Sequence, residues 1–232
     1  MTAIVKASII WYDKYMQIVW KGHACFFITA SIGNHSQAKI VFDPYDESIG
    51  LKLPSMEADL VLVSHDHSDH NNAKAIKGEP FTASSPGEYE VKGVFVKGIP
   101  SFHDNSEGKE RGRNTIYIVD AEDMRLCHLG DLGQSELTSE QVDQIGQVDI
   151  LFVPVGGTYT IDAKEASHIV SQIEPKIAVP MHYALPNVKA KLAGVDQFLK
   201  TMGVKTQEPE AKISLKQKDL DGEETKVIVL QP

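Results

Sequence analysis

The sequence predicts an α/β fold on three observations. Short apolar runs rich in branched residues recur along the chain, segments with helical apolar spacing fall among the later runs, and two helix starts carry readable capping residues. Met16-Gln17-Ile18-Val19-Trp20 reads as the first strand of the core. Lys39-Ile40-Val41-Phe42 is a second and runs into Asp43-Pro44. Asp59-Leu60-Val61-Leu62-Val63 holds four apolar, mostly branched residues with no helical spacing, the pattern of a buried strand. Residues 93–99, 126–129, 149–153 and 177–181 read as further strands. Thr138 and Asp162 each stand three residues before Gln141 or Glu165, the arrangement in which a capping oxygen and an amide or carboxylate close a helix N-terminus reciprocally. In the second of these helices Ala166, Ile169, Val170 and Ile173 form a stripe that packs on a sheet. His168 lies about 200° around the helix from Ala166, on the solvent face. Residues 211–216 and 225–230 predict an antiparallel pair turning at Asp221-Gly222 and completing one sheet.

Composition sets the class. With 232 residues, 42% of them hydrophobic, and no low-complexity tract, the chain is long enough for one large domain with a substantial core, and no Pro, Gly or Ser-rich linker divides it. That domain is expected over 16–232. Residues 1–15 read as an extension, because the apolar patch Ala7 to Tyr12 is cut short by Asp13 and Lys14. The patch is too short for a signal peptide or membrane span, which predicts a cytoplasmic protein. Cys25 and Cys127 lie in apolar strand-like surroundings and read as buried free thiols. A net charge of −9 argues against a nucleic-acid partner, since polyanions are held by clusters of Lys and Arg, and so favours a small-molecule substrate. No feature of the sequence sets an oligomeric state.

Function concentrates in Ser64-His65-Asp66-His67-Ser68-Asp69-His70, which packs three imidazoles and two carboxylates into seven residues directly after a buried strand. His65 and His67 project together if the chain stays extended for one more step. Asp69 and His70 fall where Asn71 to Ile76 can begin a helix. The alternative, a solvated histidine-rich turn, leaves many titratable groups crowded at a free-energy cost unless a cation offsets them. Two pairs of imidazole and carboxylate donors suggest two ions, of a borderline-soft kind such as zinc.

These residues resemble the metallo-β-lactamase superfamily, whose signature is HxHxDH after a strand. Four further motifs occur in the family's order: Asp43 closing its strand, His103 after residues 93–99, Asp131 in Leu129-Gly130-Asp131, and His182 in Met181-His182-Tyr183. The resemblance implies an αβ/βα four-layer sandwich of mixed sheets with metal in the cleft at the sheets' edges. It also implies a ligand scheme. His65, His67 and His103 would hold one ion, Asp69, His70 and His182 a second, and Asp131 would bridge them, with a hydroxide between the cations as nucleophile. Zinc ranks first, with manganese, iron and nickel as alternatives. Asp69 would orient the nucleophile, and Asp43 would steady a ligand imidazole; read without the family, Asp43 is also a turn residue before Pro44. The Gly130-Asp131 and Met181-His182-Tyr183 motifs look like the branch of zinc-dependent hydrolases related to ascorbate-6-phosphate lactonase and N-acyl-phosphatidylethanolamine phospholipase D. A hydrolase of small esters, lactones or phosphoesters is therefore expected; a phosphodiesterase or nuclease, and a noncatalytic metal-binding protein, are the alternatives.

Other residues carry two readings each. His23 and His128 resemble positions near the family's cleft, as support or substrate contact, and each is otherwise a hydrogen-bonded structural histidine. Arg111 and Arg113, in the polar stretch that starts at His103, could fork onto a substrate phosphate or carboxylate or face solvent. Tyr159, after Gly156-Gly157, could reach a ligand, although a tight strand-to-helix turn explains the glycines equally well. His35 reads as part of a hairpin loop.

Overall fold

The structure, a computed structural model, describes residues 15–32, 36–206, 208–222 and 224–232. The expectations for residues 1–14 and for the loop at His35 lie outside the described residues. Branched and aromatic runs form strands where the sequence places them. The first sheet opens with β1 (Met16–Trp20), β2 (Phe26–Ile32), β3 (Ser36–Phe42), β4 (Leu60–Leu62) and β5 (Phe81–Ala83). The second begins with β6 (Gly87–Val91), β7 (Val94–Phe102), β8 (Arg113–Ala121) and β9 (Met124–His128). After α1 (Ser139–Ile145) it continues with β10 (Ile150–Pro154), and after α2 (Ala163–Ile173) with β11 (Ile177–Met181). Then follow α3 (Val195–Thr201), β12 (Ile213–Leu215) and β13 (Lys226–Val227).

The sheet orders are β12-β1-β2-β3-β4-β5 and β13-β11-β10-β9-β8-β7-β6, both mixed in direction. The two sheets face each other across one apolar core that includes Trp20, Phe26, Phe42, Ile118 and Phe152. The outer face of the first sheet covers a smaller cluster of Val41, Tyr45, Val61 and Ile76. Both expected capping boxes are present, at Thr138 with Gln141 and at Asp162 with Glu165. The stripe Ala166, Ile169, Val170 and Ile173 is buried and His168 is exposed. Cys25 and Cys127 are buried free thiols.

Two expectations need correction. The segment after His70 forms one 3-10 turn, Ala73–Ala75, whose N-cap Asn72 makes no side-chain capping bond; the chain then pairs Lys77 with Glu57 instead of continuing a helix. The C-terminal segments are not a hairpin and do not complete one sheet. β12 pairs antiparallel with β1, and β13 pairs parallel with β11. The physical reason is that β1 and β11 each end a sheet with unpaired backbone. An isolated two-stranded pair is marginal in water, whereas each sheet edge supplies partners plus burial for Ile213, Leu215 and Val227. Asp221-Gly222 therefore lies on the crossing between sheets. Among the described residues, no helix is long and apolar enough to cross a membrane.

Candidate metal centre

Strand direction assembles the site. β3 and β4 run parallel, so Asp43 and the His65–His70 segment leave the first sheet at the same edge. β9 is parallel to β10, which is parallel to β11, and β7 is antiparallel to β8, itself antiparallel to β9. The carboxyl ends of β7, β9 and β11 therefore share one edge too, and deliver His103, Asp131 and His182 to it. Positions far apart in sequence meet because loops beyond the carboxyl ends of neighbouring strands open onto one crevice.

Asp131 is the centre of the cluster and is buried. Its Oδ1 is 3.3 Å from His70 Nε2, and its Oδ2 is 3.3 Å from His103 Nε2, 3.3 Å from His182 Nε2 and 4.0 Å from His65 Nε2. Among the described residues, three groupings could hold an ion: His65 with His67 and His103, His65 with His70 and Asp131, and His23 with His70 and His182. These groupings contain six of the seven expected ligand positions and add His23, and the seventh, Asp69, lies beside them. Asp69 sits 3.8 Å from His70 Nε2 and 3.2 Å from His23 Nε2. The donor chemistry fits a divalent ion. His65 Nε2, His70 Nε2 and Asp131 Oδ1 are buried without a hydrogen-bond partner, an expensive arrangement for polar atoms unless a cation engages them.

Asp43 organises the imidazoles. Its Oδ1 accepts from the Ser64 N–H at 2.7 Å, and its Oδ2 accepts from Ser64 Oγ at 2.7 Å and from His70 Nδ1 at 3.0 Å. With the Ser64 hydroxyl donating to Asp43, its oxygen is left to accept from His65 Nδ1, 2.9 Å away. Both imidazoles then carry their proton on Nδ1 and turn an Nε2 lone pair toward Asp131. Burial alone would raise the Asp43 and Asp131 pKa values. The imidazoles outweigh it: His70 holds Asp43 below the usual carboxylate range, and His182 and His70 hold Asp131 well below it. Burial opposes protonation of His70, but Asp131 and Asp43 overcome it and raise its pKa well above the ordinary value. That field favours positive charge at His70 Nε2, and a cation answers it as well as a proton does. Burial and neighbouring imidazoles push His65 down to about 3 and His23 to about 4, leaving both neutral.

The backbone is bent to reach this geometry. His23, Asp43 and His182 have φ of 54°, 41° and 52°, the left-handed region, which costs a non-glycine residue roughly 1–3 kcal/mol and clusters at functional sites. Two glycines permit close approach. A Cβ at Gly130 would stand 2.4 Å from Asn114 Oδ1, and one at Gly156 would stand 2.1 Å from the His182 carbonyl oxygen. Gly156 therefore seats His182 as well as turning the chain.

Three supporting residues escaped the sequence reading. Ser64 links Asp43 to His65. Asn114 accepts the Asp131 N–H at 3.0 Å and donates to Ser101 Oγ and the Leu129 carbonyl; its signal was an amide opening the branched run Thr115 to Val119. Asp104 accepts backbone N–H bonds from Ser106, Gly108, Glu110 and Arg111, and so folds the loop after His103. His128 takes its structural reading. Its Nε2 donates to the Ala24 carbonyl, its Nδ1 accepts from the Gly130 N–H, and it stacks on Phe42 at 4.6 Å. At the rim the Arg111 guanidinium lies 4.7 Å from the centre of the Tyr159 ring, while the Arg113 side chain is exposed.

The fold and its cluster define a metal-dependent hydrolase, and similar proteins carry that name. A UPF0173 metal-dependent hydrolase of Pyrococcus abyssi is 29% identical over 82% of this chain and 93% of its own, and one of Thermoplasma acidophilum is 30% identical over 72% and 83%. A crystal structure of a metallo-β-lactamase superfamily protein from Thermotoga maritima superposes with a TM-score of 0.75 at 38% identity, covering 93% of this chain and 98% of that one. The model of the beta-lactamase superfamily domain matches residues 17–182, and the chain belongs to that superfamily.

Proposed function

We propose that this chain is a dinuclear metal-dependent hydrolase of small ester, lactone or phosphoester substrates. In this reading His65, His67 and His103 hold one divalent ion, Asp69, His70 and His182 hold the other, and Asp131 lies between them. Asp131 carries the argument, because its two oxygens face imidazoles of both sets at 3.3 Å. Zinc ranks first for nitrogen and carboxylate donors, with manganese, iron and nickel as alternatives. Two ions held there would supply an activated water and polarise the scissile bond. Asp69 and Asp131 are the catalytic carboxylates, and Asp43 holds the His70 ring through its Nδ1–H. Of the proposed ligands, His67 is exposed and Asp69 is a third exposed, so substrate approaches from their side. Arg111, braced on Tyr159, is the residue suited to an anionic group of the substrate, with the exposed Arg113 as its neighbour.

Metal analysis with a panel of chromogenic lactones, esters and phosphodiesters tests the reading. Two ions per chain at saturation, turnover of at least one class, and a lower melting temperature after chelation are expected. A single ion under metal excess would sink the dinuclear assignment.

A further inference from the structure

We propose that His23 is a positioning residue of the second ion's site, holding Asp69 with its ring and His182 with its main chain. The proposal rests on the dinuclear reading above and assigns His23 a part in it that is neither ligand nor substrate contact. His23 lies in the turn between β1 and β2, which is closed by hydrogen bonds from the Lys21 N–H to the Cys25 carbonyl and from the Cys25 N–H to the Gly22 carbonyl. Its carbonyl accepts from Trp20 Nε1 at 3.0 Å and from the His182 N–H at 3.0 Å. The core tryptophan thus anchors the oxygen that fixes the backbone of His182. The ring is buried, with its centre 4.2 Å from that of His182 and 4.8 Å from that of His70. Its Nε2 reaches Asp69 Oδ2 at 3.2 Å.

Every proposed protein ligand of the second ion, apart from the shared Asp131, therefore touches His23. Asp69 needs such a partner most. It sits in a turn with its side chain 33% exposed, against 0% and 1% for His70 and His182. Among the described residues, His23 is the one hydrogen-bond donor to its carboxylate. An imidazole with its proton on Nε2 fixes Asp69 Oδ2, the oxygen that also stands 3.8 Å from His70 Nε2, and so sets where the carboxylate lies beside that ring.

Stepwise titration of the metal-free protein with Zn²⁺ against a chromophoric chelator, and with Co²⁺ followed by its absorption spectrum, tests this. His23→Ala should weaken the second ion roughly 10- to 100-fold, the usual effect of removing a residue that orients a ligand, and leave the first ion unchanged. His23→Gln keeps an N–H near the same reach and should recover most of the loss, with a metal-free melting temperature like that of wild type. Wild-type binding of both ions by His23→Ala would overturn the proposal. So would equal weakening of both ions with loss of metal-free stability, which is a purely structural role. A Gln variant as impaired as Ala would make His23 a ligand and overturn it too. If wild type itself takes up one ion, the dinuclear reading falls first, and the proposal with it; two ions in wild type with any of the preceding results removes the proposal alone.

Discussion

The buried hub around Asp43 and Asp131 and the rim made by the loops at 104–112 and 157–160 are built in opposite ways. The hub is assembled over long range. Asp43 is bonded to Ser64 and His70, and Asp131 is held through Asn114, which is itself tied to Ser101 and Leu129. The rim is local: the Asp104 carboxylate takes four N–H groups from the seven residues that follow it. A ring contact between Arg111 and Tyr159 then joins the two loops. A hub that draws on both sheets exists only when both sheets have packed, so changes there should reach both histidine sets of the proposed centre. A rim that folds on itself can vary in sequence while the machinery beneath it stays intact, which is where substrate choice is expected to lie.

The largest expected effect breaks the hub. Asp131→Ala removes the anion that faces both imidazole sets, and should abolish turnover and lower the affinity for both ions. His128→Ala is the contrast within the same strand end. It should keep full metal content, because Asn114 holds the Asp131 N–H independently, yet cost about 2–4 kcal/mol of stability through a cavity beside Phe42 and Phe152. Equal metal loss in the two variants would erase the distinction between them.

A smaller effect is expected at the rim. Arg111→Ala should raise KM for phosphorylated or carboxylated substrates roughly 10- to 100-fold, the value of one charge-assisted contact, and leave neutral esters nearly untouched. Arg111→Lys should recover part of this, since an ammonium cannot reproduce the planar fork or its stacking on Tyr159. Unchanged kinetics on both classes in the double Arg111→Ala, Arg113→Ala variant would return the loop to a solvated role.

The smallest effect is one of pH. Burial disfavours the charged form of Asp104, but the backbone N–H groups of Arg111, Ser106, Gly108 and Glu110 outweigh it and lower its pKa to about 2. A carboxylate depressed in the folded state stabilises its loop fully above its unfolded value of about 3.9 and ceases to as pH falls through the folded value near 2. The Asp104 carboxyl carbon, followed by NMR, should therefore titrate near 2, and Asp104→Asn should loosen residues 106–111 at neutral pH without changing metal content. A midpoint at 4 or above would mean that the loop is not held in this way.

What the sequence determined by itself was local. Strands with branched runs, capping boxes at Thr138 and Asp162, and HxHxDH after a buried strand are patterns within a few residues, where backbone preference and side-chain chemistry coincide. They sufficed for the α/β class and for the His65–His70 cluster, while His103, Asp131 and His182 were expected only from the resemblance to the metallo-β-lactamase superfamily. The tertiary structure alone decided partnerships over long separations. β12 and β13 went to different sheets because each sheet's edge offered backbone partners that a hairpin could not match. Asn114 came under Asp131, and His23 against Asp69, 46 residues away. No local pattern encodes those contacts, since each depends on which strand ends lie side by side once the two sheets have packed.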